Sequence, residues 1–361
     1  MYVRVIMDLL WYACVVIAVL LAYVLGSVVP YLWRKQRDRV TLRRNFPAPP
    51  AAHWLLGHVP LLSGLSYETL MLYNRWTKSY PRYYLFHAGP METKLVLNHA
   101  ETIKQLTKTN EPKQLGFGGI YGFILPWFGE GLVLSSGDKW RRNRKLLTPT
   151  FHFDVLKEYG PIFNECAQKF VNKLDKLSAK TGESVEISGH IRLCTLEAVM
   201  RAAFSSDDDV QGQGDSNKYV RTADLLAKLA LKRVMTPLHH FNWLYNRTED
   251  GKQFHENAQY CGDVAAAVID QRRSEVAENK MGDNKSRRKY LDFLDRLLLA
   301  RDEDGNGLSR DDLLNEVRTF MFGGYDTTKS AIMWLIYNLA KHRDCQDLAR
   351  YDACIDTLIT V

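Results

Sequence analysis

One segment of the sequence combines residue types that a helix interior normally avoids. Residues 320–328 read FMFGGYDTT. Inside a helix each glycine costs about 0.5–1 kcal/mol relative to alanine, and Asp and Thr are poor helix formers. A glycine pair lets a flat ligand approach the backbone, Thr hydroxyls can bond back to the preceding turn, and Asp326 could pass protons by way of water. The pattern indicates either a functional groove or a kinked core helix.

A second constellation, Trp140 and Arg144, could bind an anion. The two residues are four apart and share one face of a helix. An indole N–H beside a guanidinium forms a donor pair suited to a carboxylate, which Arg can bind through two hydrogen bonds. Alone, this W-x-x-x-R pattern is a weak signal, because most occurrences are an Arg that lies beside a surface Trp.

Both constellations need helices to position them. Apolar periodicity predicts one unusually long helix from Ser309 to His342, with Ser309 and Asp312 at capping positions. A shorter helix is predicted around residues 139–147, where Pro149 stops it. The two candidate sites are therefore expected to lie on two separate helices.

The rest of the body shows the same mostly helical pattern. A Gly-Pro pair at residues 89–90 separates two β-prone runs, 82–87 and 95–97, and predicts a hairpin. The acidic, Gly-rich stretch 206–217 is expected to be a mobile loop. A fold that is mainly α with a small β portion is therefore expected, with further helices predicted at residues 70–80, 163–177, 225–235, 241–245 and 290–300.

The N-terminal region predicts a membrane anchor. Residues 9–33 are an uncharged, mostly apolar run, which as a helix would span roughly 38 Å against a hydrocarbon core of about 30 Å. A cleaved signal peptide is the competing interpretation, but its apolar region is usually about 7–15 residues long. Because Arg4 and Asp8 cancel before the run, the basic cluster after it, residues 34–39, should stay cytosolic with the body.

Charge distribution argues against nucleic-acid binding. The formal net charge is +7, but residues 1–50 hold seven basic and two acidic residues, so the remainder of the chain is nearly neutral. The proline-rich stretch 45–52 is predicted to be a semi-rigid extended spacer. We therefore divide the chain into an anchor (1–33), a basic collar with a Pro-rich hinge (34–52) and a body (53–361).

Patterns that suggest metal sites are weaker. Residues 302–307, DEDGNG, match the first half of a calcium-binding EF-hand loop. Position 12, which needs a bidentate Glu, is Leu313, and position 9 is Arg310, so an acidic turn before a helix is the favoured interpretation. Adjacent His239 and His240 point apart on a helix and are expected to be independent. The six cysteines form no C-x-x-C pair and are expected to be reduced thiols.

Together the two constellations resemble a eukaryotic cytochrome P-450. Residues 323–328 are similar to that family's [A/G]-G-x-[D/E]-T-T motif on its long central helix, and Trp140 with Arg144 resembles its W-x-x-x-R motif. The anchor, collar and hinge fit the microsomal form. The similarity covers nearly the whole chain and extends to the family-4 branch of fatty-acid ω-hydroxylases. It is carried by NEP (110–112), GEGL (129–132), SSGDKW (135–140), LTPTFHF (147–153), EV (316–317) and TFMF (319–322).

The resemblance implies how a b-type haem would be bound. Trp140 and Arg144 would bind a haem propionate. Gly323 and Gly324 would let haem and dioxygen approach the helix, and Thr328 completes the haem-binding motif. Many family-4 members carry, in place of Gly323, a Glu that forms an ester to the haem, so a non-covalent haem is expected here.

The resemblance also implies an activity and partners. Thr327 would hydrogen-bond the bound oxygen, and Asp326 would supply protons for cleavage of the O–O bond. The implied enzyme is a monooxygenase that hydroxylates small lipophilic substrates, such as long-chain fatty acids, with electrons from NADPH through a cytochrome reductase. A basic face of Lys139, Arg141 and Lys145 could meet that reductase. The implied location is the endoplasmic reticulum membrane, with the body in the cytosol.

The sequence departs from the family at the iron ligand. The family binds haem iron through the Cys of F-x-x-G-x-R-x-C-x-G, and none of the six cysteines lies in such a context, nor is the E-x-x-R helix present. We therefore expect an incomplete cytochrome P-450 fold, truncated after the long helix, and no thiolate-ligated haem in this chain. The alternative is a non-catalytic truncated isoform or remnant that acts at most as a membrane-bound interaction protein.

Other departures concern the long helix and the residues after it. Tyr325 stands where the branch usually has His, and residues 350–361 do not resemble the family. Without the family's C-terminal segments, we expect the apolar residues 320–322 and Trp334 to be exposed.

Overall fold

Helices dominate the computed structural model, in agreement with the apolar periodicity. It describes residues 2–50, 53, 56–64, 66–89, 92–109, 111–116, 119–181, 184–281 and 291–359. Within these residues the regular structure is α-helical apart from short 3-10 and π segments and one two-stranded sheet. The prediction of a mainly α fold with a small β portion is confirmed.

The elements follow one another in chain order. The helices are α1 (Tyr2–Tyr23), α2 (Val29–Asn45), α3 (Tyr67–Ser79), α4 (Ala100–Leu106), α5 (Ile120–Phe128), α6 (Gly137–Leu147), α7 (Phe153–Lys157), α8 (Gly160–Thr181), α9 (Ser188–Phe204), α10 (Val210–Gln213), α11 (Lys218–Met235), α12 (Asn242–Tyr245), α13 (Glu249–Met281), α14 (Phe293–Leu299), α15 (Arg310–Lys341) and α16 (Arg343–Ile359). The strands β1 (Tyr83–Ala88) and β2 (Glu92–Leu97) form the predicted hairpin, antiparallel from the Tyr83–Leu97 pair to the Ala88–Glu92 pair.

The chain forms two compact units, Met1–Glu111 and Pro112–Val361. In the first unit α3 packs against the hairpin, and Trp76, Tyr84 and Phe86 form its small aromatic core. In the second unit a larger core is built from the long helices described below. Each unit therefore has apolar residues of its own to bury.

A continuous helical segment opens the first unit. It runs through α1, a π-helical turn (Val24–Val28) and α2, which is roughly 66 Å of helix at about 1.5 Å per residue. Residues 6–45 are long and apolar enough to cross a membrane, and the most apolar window of 18 residues is wholly exposed. Length and composition are the evidence for this span, and a signal sequence meets the same criteria. The basic collar continues the helix as far as Asn45.

The proline-rich hinge is held by hydrogen bonds within its own unit. The carbonyl of Pro47 accepts from the N–H of Leu85 at 2.9 Å, and the carbonyl of Pro49 accepts from His58 Nε2 at 2.9 Å. The hinge is therefore an anchored strand-like connection along residues 46–50, where the sequence predicted a spacer.

The end of α2 is joined to the hairpin by a second contact. Arg43 Nε donates to Nε2 of His87 at 3.0 Å. His87 is fully buried and stacks on His58 with ring centroids 5.4 Å apart. Burial, with the nearby Arg39 and Arg43, lowers the pKa of His87 to about 3. The ring is therefore neutral at physiological pH, and its Nε2 can accept a hydrogen bond from the guanidinium group of Arg43.

Helix α15 is the central element of the second unit. It packs along α9 and also against α13 and α5. Leu313, Val317, Met321 and Tyr325 follow one another at four-residue spacing and are all fully buried, so they form the stripe that faces the core. Beyond Thr327 the helix is largely exposed. The long helix predicted between Ser309 and His342 is confirmed, with Ser309 as its N-cap.

The expected exposure of the apolar residues on α15 is only partly right. Met321 is buried, and Phe320 and Phe322 pack against Phe293 and Trp127 at centroid distances of 4.6 and 4.5 Å. All three side chains are therefore covered by other residues of the second unit. Trp334 is 65% exposed, as expected.

The stretch 206–217 is not the mobile loop predicted from its composition. It contains α10 and a 3-10 turn, and Val210 and Gln211 are buried. Asp209 caps α10 by accepting from the N–H of Gly212, and the N–H of Gln211 donates to buried Glu197 at 2.7 Å. The acidic, glycine-rich composition therefore gave no sign that Val210 and Gln211 are buried or that Asp209 caps a helix.

Two helices near residue 280 differ from the sequence expectations. Helix α13, 33 residues long, has no counterpart among the predicted helices. The helix predicted at residues 290–300 is shorter and begins at Phe293, capped by Asp292; residue 290 lies outside the described residues.

Candidate functional site

The GGYDTT segment lies in the middle of α15, where its two glycines face different surroundings. A Cβ atom on Gly323 would meet no atom within 4 Å. A Cβ atom on Gly324 would lie 2.9 Å from Cγ2 of Val199 on α9, closer than real contacts allow. Gly323 therefore leaves open space on the helix surface, and Gly324 lets α15 approach α9.

The threonine hydroxyls bond back to the preceding turn, as predicted. Thr327 Oγ1 donates to the carbonyl of Gly323, and Thr328 Oγ1 donates to that of Gly324, each at 2.7 Å. Both threonines are exposed. Such bonds can bend a helix, but α15 stays α-helical through the whole segment. The carbonyl of Gly323 is thus already engaged by a hydroxyl on the open face.

Asp326 is half-buried and paired within the same helix. Its Oδ1 lies 2.6 Å from Nζ of Lys329, whose side chain is only 15% exposed. The ammonium holds the carboxylate in one orientation beside the threonines. Sequence reasoning did not single out Lys329, although its position three residues after an acid was an available signal.

Tyr325 points to the other side of α15. It is fully buried and packs against Phe322 and Tyr219, with ring centroids 5.6 and 6.3 Å away. Among the described residues its hydroxyl has no hydrogen-bond partner, and burial raises the pKa of the phenol. Tyr325 therefore belongs to the core between α15 and α11 and does not reach the open face.

Helix α6 presents the predicted donor pair to solvent. Trp140 is partly exposed and Arg144 is exposed. In the part of the chain that the structure describes, neither side chain has a hydrogen bond or an ion pair. The neighbouring face of α6 contacts the first turns of α15, through Lys139 Nζ and Asp312 at 3.1 Å. The donor pair is therefore available for an external anion.

The basic face that could meet a reductase is paired inside the chain. Its three basic side chains are paired with four carboxylates, so together these residues carry no net positive charge. The pairs are Lys139 with Glu130 and Asp312, Arg141 with Asp138, and Lys145 with Glu303.

Three of the described cysteines have raised thiol pKa values. Burial raises the pKa of Cys166, and it raises those of Cys194 and Cys261 to about 12. Without a bound metal these three side chains are therefore neutral thiols at physiological pH. Cys14 is exposed in α1 and Cys345 is exposed on α16; the side chain of Cys354 lies outside the described residues.

The EF-hand-like turn is already satisfied by the protein. Asp302 Oδ1 accepts from the N–H groups of Asp304 and Asn306 at 3.1 and 2.8 Å, and its Oδ2 accepts from Arg142 Nε at 2.8 Å. The Arg142 hydrogen bond is the main reason that the pKa of Asp302 is lowered. Across the described residues no group of three or more His, Cys, Asp or Glu residues could hold a metal ion.

These observations fit a haem at two of its sides. The open space at Gly323 leaves room for a flat ring beside the exposed Thr327. The donor set of Trp140 and Arg144 suits a propionate, because both side chains keep their hydrogen-bond donors free of partners among the described residues.

Comparison with known proteins identifies the family. The family model for cytochrome P450 matches residues 47–353, which is most of the chain. The chain belongs to the cytochrome P450 family.

Its relatives include proteins named for lipid hydroxylation. The chain is 37% identical to human cytochrome P450 4F12 over 310 residues, covering 85% of this chain and 59% of that protein. It is 34% identical to mouse leukotriene-B4 omega-hydroxylase 3 over 334 residues, covering 92% and 63%. It is 37% identical to human ultra-long-chain fatty acid omega-hydroxylase over 319 residues, covering 85% and 58%. The chain thus spans about three fifths of the length of these relatives.

One residue near the site was recognised from sequence only as part of a family segment. Glu316, from the EV segment, is fully buried on α15 and accepts from Asn143 Nδ2 of α6 at 3.1 Å. A charged residue at a core position of the helix pattern was the signal that could have marked it.

Proposed function

We propose that the protein is a membrane-anchored haem monooxygenase that hydroxylates long-chain fatty acids or related lipids. One observation carries the proposal. Helix α15 keeps an open surface at Gly323 beside Thr327, and α6, which contacts α15, carries Trp140 and Arg144 without partners among the described residues. Membership of the cytochrome P450 family gives both surfaces a common ligand.

The chain would hold its haem by complementary charge and shape. Arg144 and the indole N–H of Trp140 would bind a propionate. Gly323 and Thr328 would line the side where dioxygen is bound, and Gly324 would support that side by letting α15 approach α9. When present, the haem supplies the iron that activates dioxygen. Since Gly323 has no side chain, it cannot form an ester, and the haem would be held non-covalently.

The side chains of Thr327 and Asp326 would donate and transfer protons on the open face. The hydroxyl of Thr327 now donates to the carbonyl of Gly323 at 2.7 Å; by rotating, it could donate to a ligand on the open side instead. Asp326 would pass protons to that hydroxyl through water, and Lys329 keeps its carboxylate oriented. Thr327 and Asp326 are therefore the proposed catalytic residues.

The substrate class and the electron donor rest on the relatives. Two of them are named as hydroxylases of leukotriene B4 and of ultra-long-chain fatty acids, so a small lipophilic substrate with a long acyl chain is proposed here. Electrons would come from NADPH through a reductase.

We assign the protein to the endoplasmic reticulum membrane with its body in the cytosol. The apolar helix within residues 6–45 supports a bilayer partner, and the basic collar after it supports a cytosolic body. The division into anchor (1–33), collar and hinge (34–52) and catalytic domain (53–361) belongs to the same proposal.

Haem titration of the purified, detergent-solubilised chain tests the proposal. Arg144→Met should weaken haem binding about 10- to 100-fold, since charge-assisted hydrogen bonds contribute about 1.5–3 kcal/mol. Arg141→Met is the matched control, because Arg141 is also exposed on α6 but pairs with Asp138. Equal affinity in the native chain and both variants would contradict the assignment of the donor pair.

A second measurement separates the enzyme from a non-catalytic membrane protein. The chain, completed with the cysteine-motif segment of one of its relatives, is incubated with NADPH, reductase and a long-chain fatty acid. Hydroxylated product that disappears in Thr327→Val supports the monooxygenase. Haem binding without product in the completed protein favours the non-catalytic alternative.

A further inference from the structure

The connection between α5 and α6, residues 129–136, lies against α15, and its two glycines leave no room for a side chain at their positions. Gly129 has a φ of +64°, and a Cβ atom there would collide with the side chain of Asn315. A Cβ atom on Gly131 would collide with the hydroxyl of Thr319 and would lie 2.6 Å from the carbonyl oxygen of Asn315. The two glycines of the GEGL segment thus allow its backbone to touch the helix.

Glu316 closes this contact from the side of α15. It is fully buried, its Oε2 accepts from the N–H of Leu132 at 3.0 Å, and its Oε1 accepts from Asn143 Nδ2 at 3.1 Å. One carboxyl group therefore bonds both the connection and α6 to α15. We refer to Leu132, Asn143 and Glu316 as the Glu316 clamp.

The polar groups of the clamp are buried and depend on one another. Burial raises the pKa of Glu316, and its hydrogen bonds with Leu132 and Asn143 oppose that rise. Asn143 is itself fully buried, and among the described residues its Oδ1 has no partner. If Glu316 were lost, the amide of Asn143 would be left unsatisfied in the interior, which proteins strongly avoid.

The clamp also lies in line with the open face of α15. Gly323 and Thr327 follow Glu316 by seven and eleven residues, so at about 100° per residue the three lie within roughly 20° of one line along the helix. At about 1.5 Å per residue they lie roughly 10 and 16 Å beyond the clamp. On α6, Asn143 immediately precedes Arg144. The clamp is therefore a fixed point that both candidate surfaces share.

From this arrangement we infer that Glu316 is a positioning residue, which holds the Trp140–Arg144 pair on α6 at a fixed distance from the Gly323–Thr327 face of α15. Its purpose, alignment of the two sides of one haem, rests on the proposed function. The geometry of the clamp is independent of the proposed function. Groups that must grip a ligand from two elements need such support to keep their separation.

Spin-label distance measurement on the full chain tests this inference without haem. Labels are placed at Arg141→Cys on α6 and Ala331→Cys on α15, both exposed, with the six native cysteines replaced by alanine. Neither label position is a candidate haem-site residue. Pulsed double electron–electron resonance then gives the distribution of distances between the two spin labels, and so between the two helices.

The clamp variants have distinct expected results. Glu316→Leu removes both acceptors and should shift and broaden the distribution. Glu316→Gln should keep it narrow, because Gln can accept from Leu132 and donate to the free Oδ1 of Asn143 after the Asn amide flips. Leu313→Ala is the matched control, since Leu313 is buried on the same helix and has no part in the clamp. It should lower stability and leave the distance unchanged.

Two outcomes would overturn the inference: a Glu316→Leu distribution as narrow as that of the native chain, or a Leu313→Ala distribution equally broad. If Glu316→Leu does not fold, Asn143→Ala frees α6 from the clamp while leaving the Leu132 bond, and an unchanged distribution there would overturn it too.

Haem titration of the same proteins separates the two claims. If Glu316→Leu lowers haem affinity and Glu316→Gln restores it, while Leu313→Ala does not change it, Glu316 positions the donor pair for haem. Absence of haem binding in every protein would contradict the proposed function and leave the distance result to decide the clamp.

Discussion

The two adjacent glycines of α15 should respond in opposite ways to alanine. Gly323→Ala places a methyl group in open space, whereas Gly324→Ala places one 2.9 Å from Cγ2 and 3.2 Å from Cγ1 of Val199. The two substitutions are chemically identical and lie one residue apart on the same helix. Any difference in stability therefore reports their surroundings.

The magnitudes follow from helix propensity and packing. Alanine in a helix interior is favoured over glycine by about 0.5–1 kcal/mol, which Gly323→Ala should gain in full. Gly324→Ala gains the same amount but must move Val199 or α9, and overpacking of a core costs about 1–3 kcal/mol. We expect Gly323→Ala to stabilise the second unit and Gly324→Ala to be less stable than Gly323→Ala by about 1–3 kcal/mol.

Urea unfolding of the solubilised chain, followed with hydrogen exchange of α15 peptides, measures the difference. Val199→Ala supplies the control, because it removes both colliding methyl groups. In that background Gly324→Ala should cost less than it does in the native chain, and Gly323→Ala should be unaffected. If Gly324→Ala is as well tolerated as Gly323→Ala, or if Val199→Ala brings no relief, the account of the two glycines is wrong.

Three further results are expected. Tyr325→Phe removes a buried hydroxyl that lacks a partner among the described residues, so it should leave stability unchanged or raise it by about 1 kcal/mol in urea unfolding; a large loss would contradict the packing described for it. Burial, with Asp295 nearby, raises the pKa of Asp292 to about 6. In the folded protein Asp292 therefore holds its proton more tightly than it does in the unfolded chain. This preference contributes its full free energy to stability below the ordinary pKa of Asp, and the contribution is lost as the pH rises through 6. Asp292→Asn keeps an N-cap oxygen but does not titrate. Its free energy of unfolding in urea should therefore rise relative to that of the native chain between pH 5 and pH 7.5, and a difference between the two proteins that does not change with pH would refute this. Arg43→Met removes the hydrogen bond to His87 and should cost about 1 kcal/mol, with faster hydrogen exchange at residues 41–50; unchanged exchange would contradict the contact.

Local patterns in the sequence predicted much of the fold. Four features were predicted because each depends on residues that are close in the chain. They are the apolar periodicity of α15, its Ser309 cap, the hairpin at the Gly-Pro pair and the end of α6. Helix α13 was not predicted, although Phe254, Ala258, Cys261, Ala265 and Ile269 form a buried stripe at three- and four-residue spacing, because most of these residues are small and give a weak apolar signal. The helix α10 was hidden because Val210 and Gln211 are buried by distant partners, which composition does not report.

The candidate site was predictable as a set of residues and less so as an arrangement. The W-x-x-x-R spacing gave the donor pair, and the glycine pair marked the groove. Sequence could not tell that Gly323 faces open space and Gly324 faces Val199, because that depends on how α9 packs. The Glu316 clamp and the Asp326–Lys329 pair escaped for a related reason. The clamp joins residues more than 170 positions apart, and the ion pair depends on side-chain orientation.

The carbon-monoxide spectrum of the reduced protein with haem tests the central claim most directly. That claim is that Trp140 with Arg144 and residues 323–328 form two sides of a haem site whose thiolate ligand is not among the cysteines of this chain. We expect no thiolate-type Soret band from the 361-residue chain. The same chain completed with the cysteine-motif segment of a relative should show that band, and Arg144→Met should weaken it. A thiolate-type band from the chain itself, or its absence from a folded completed protein, would contradict the account.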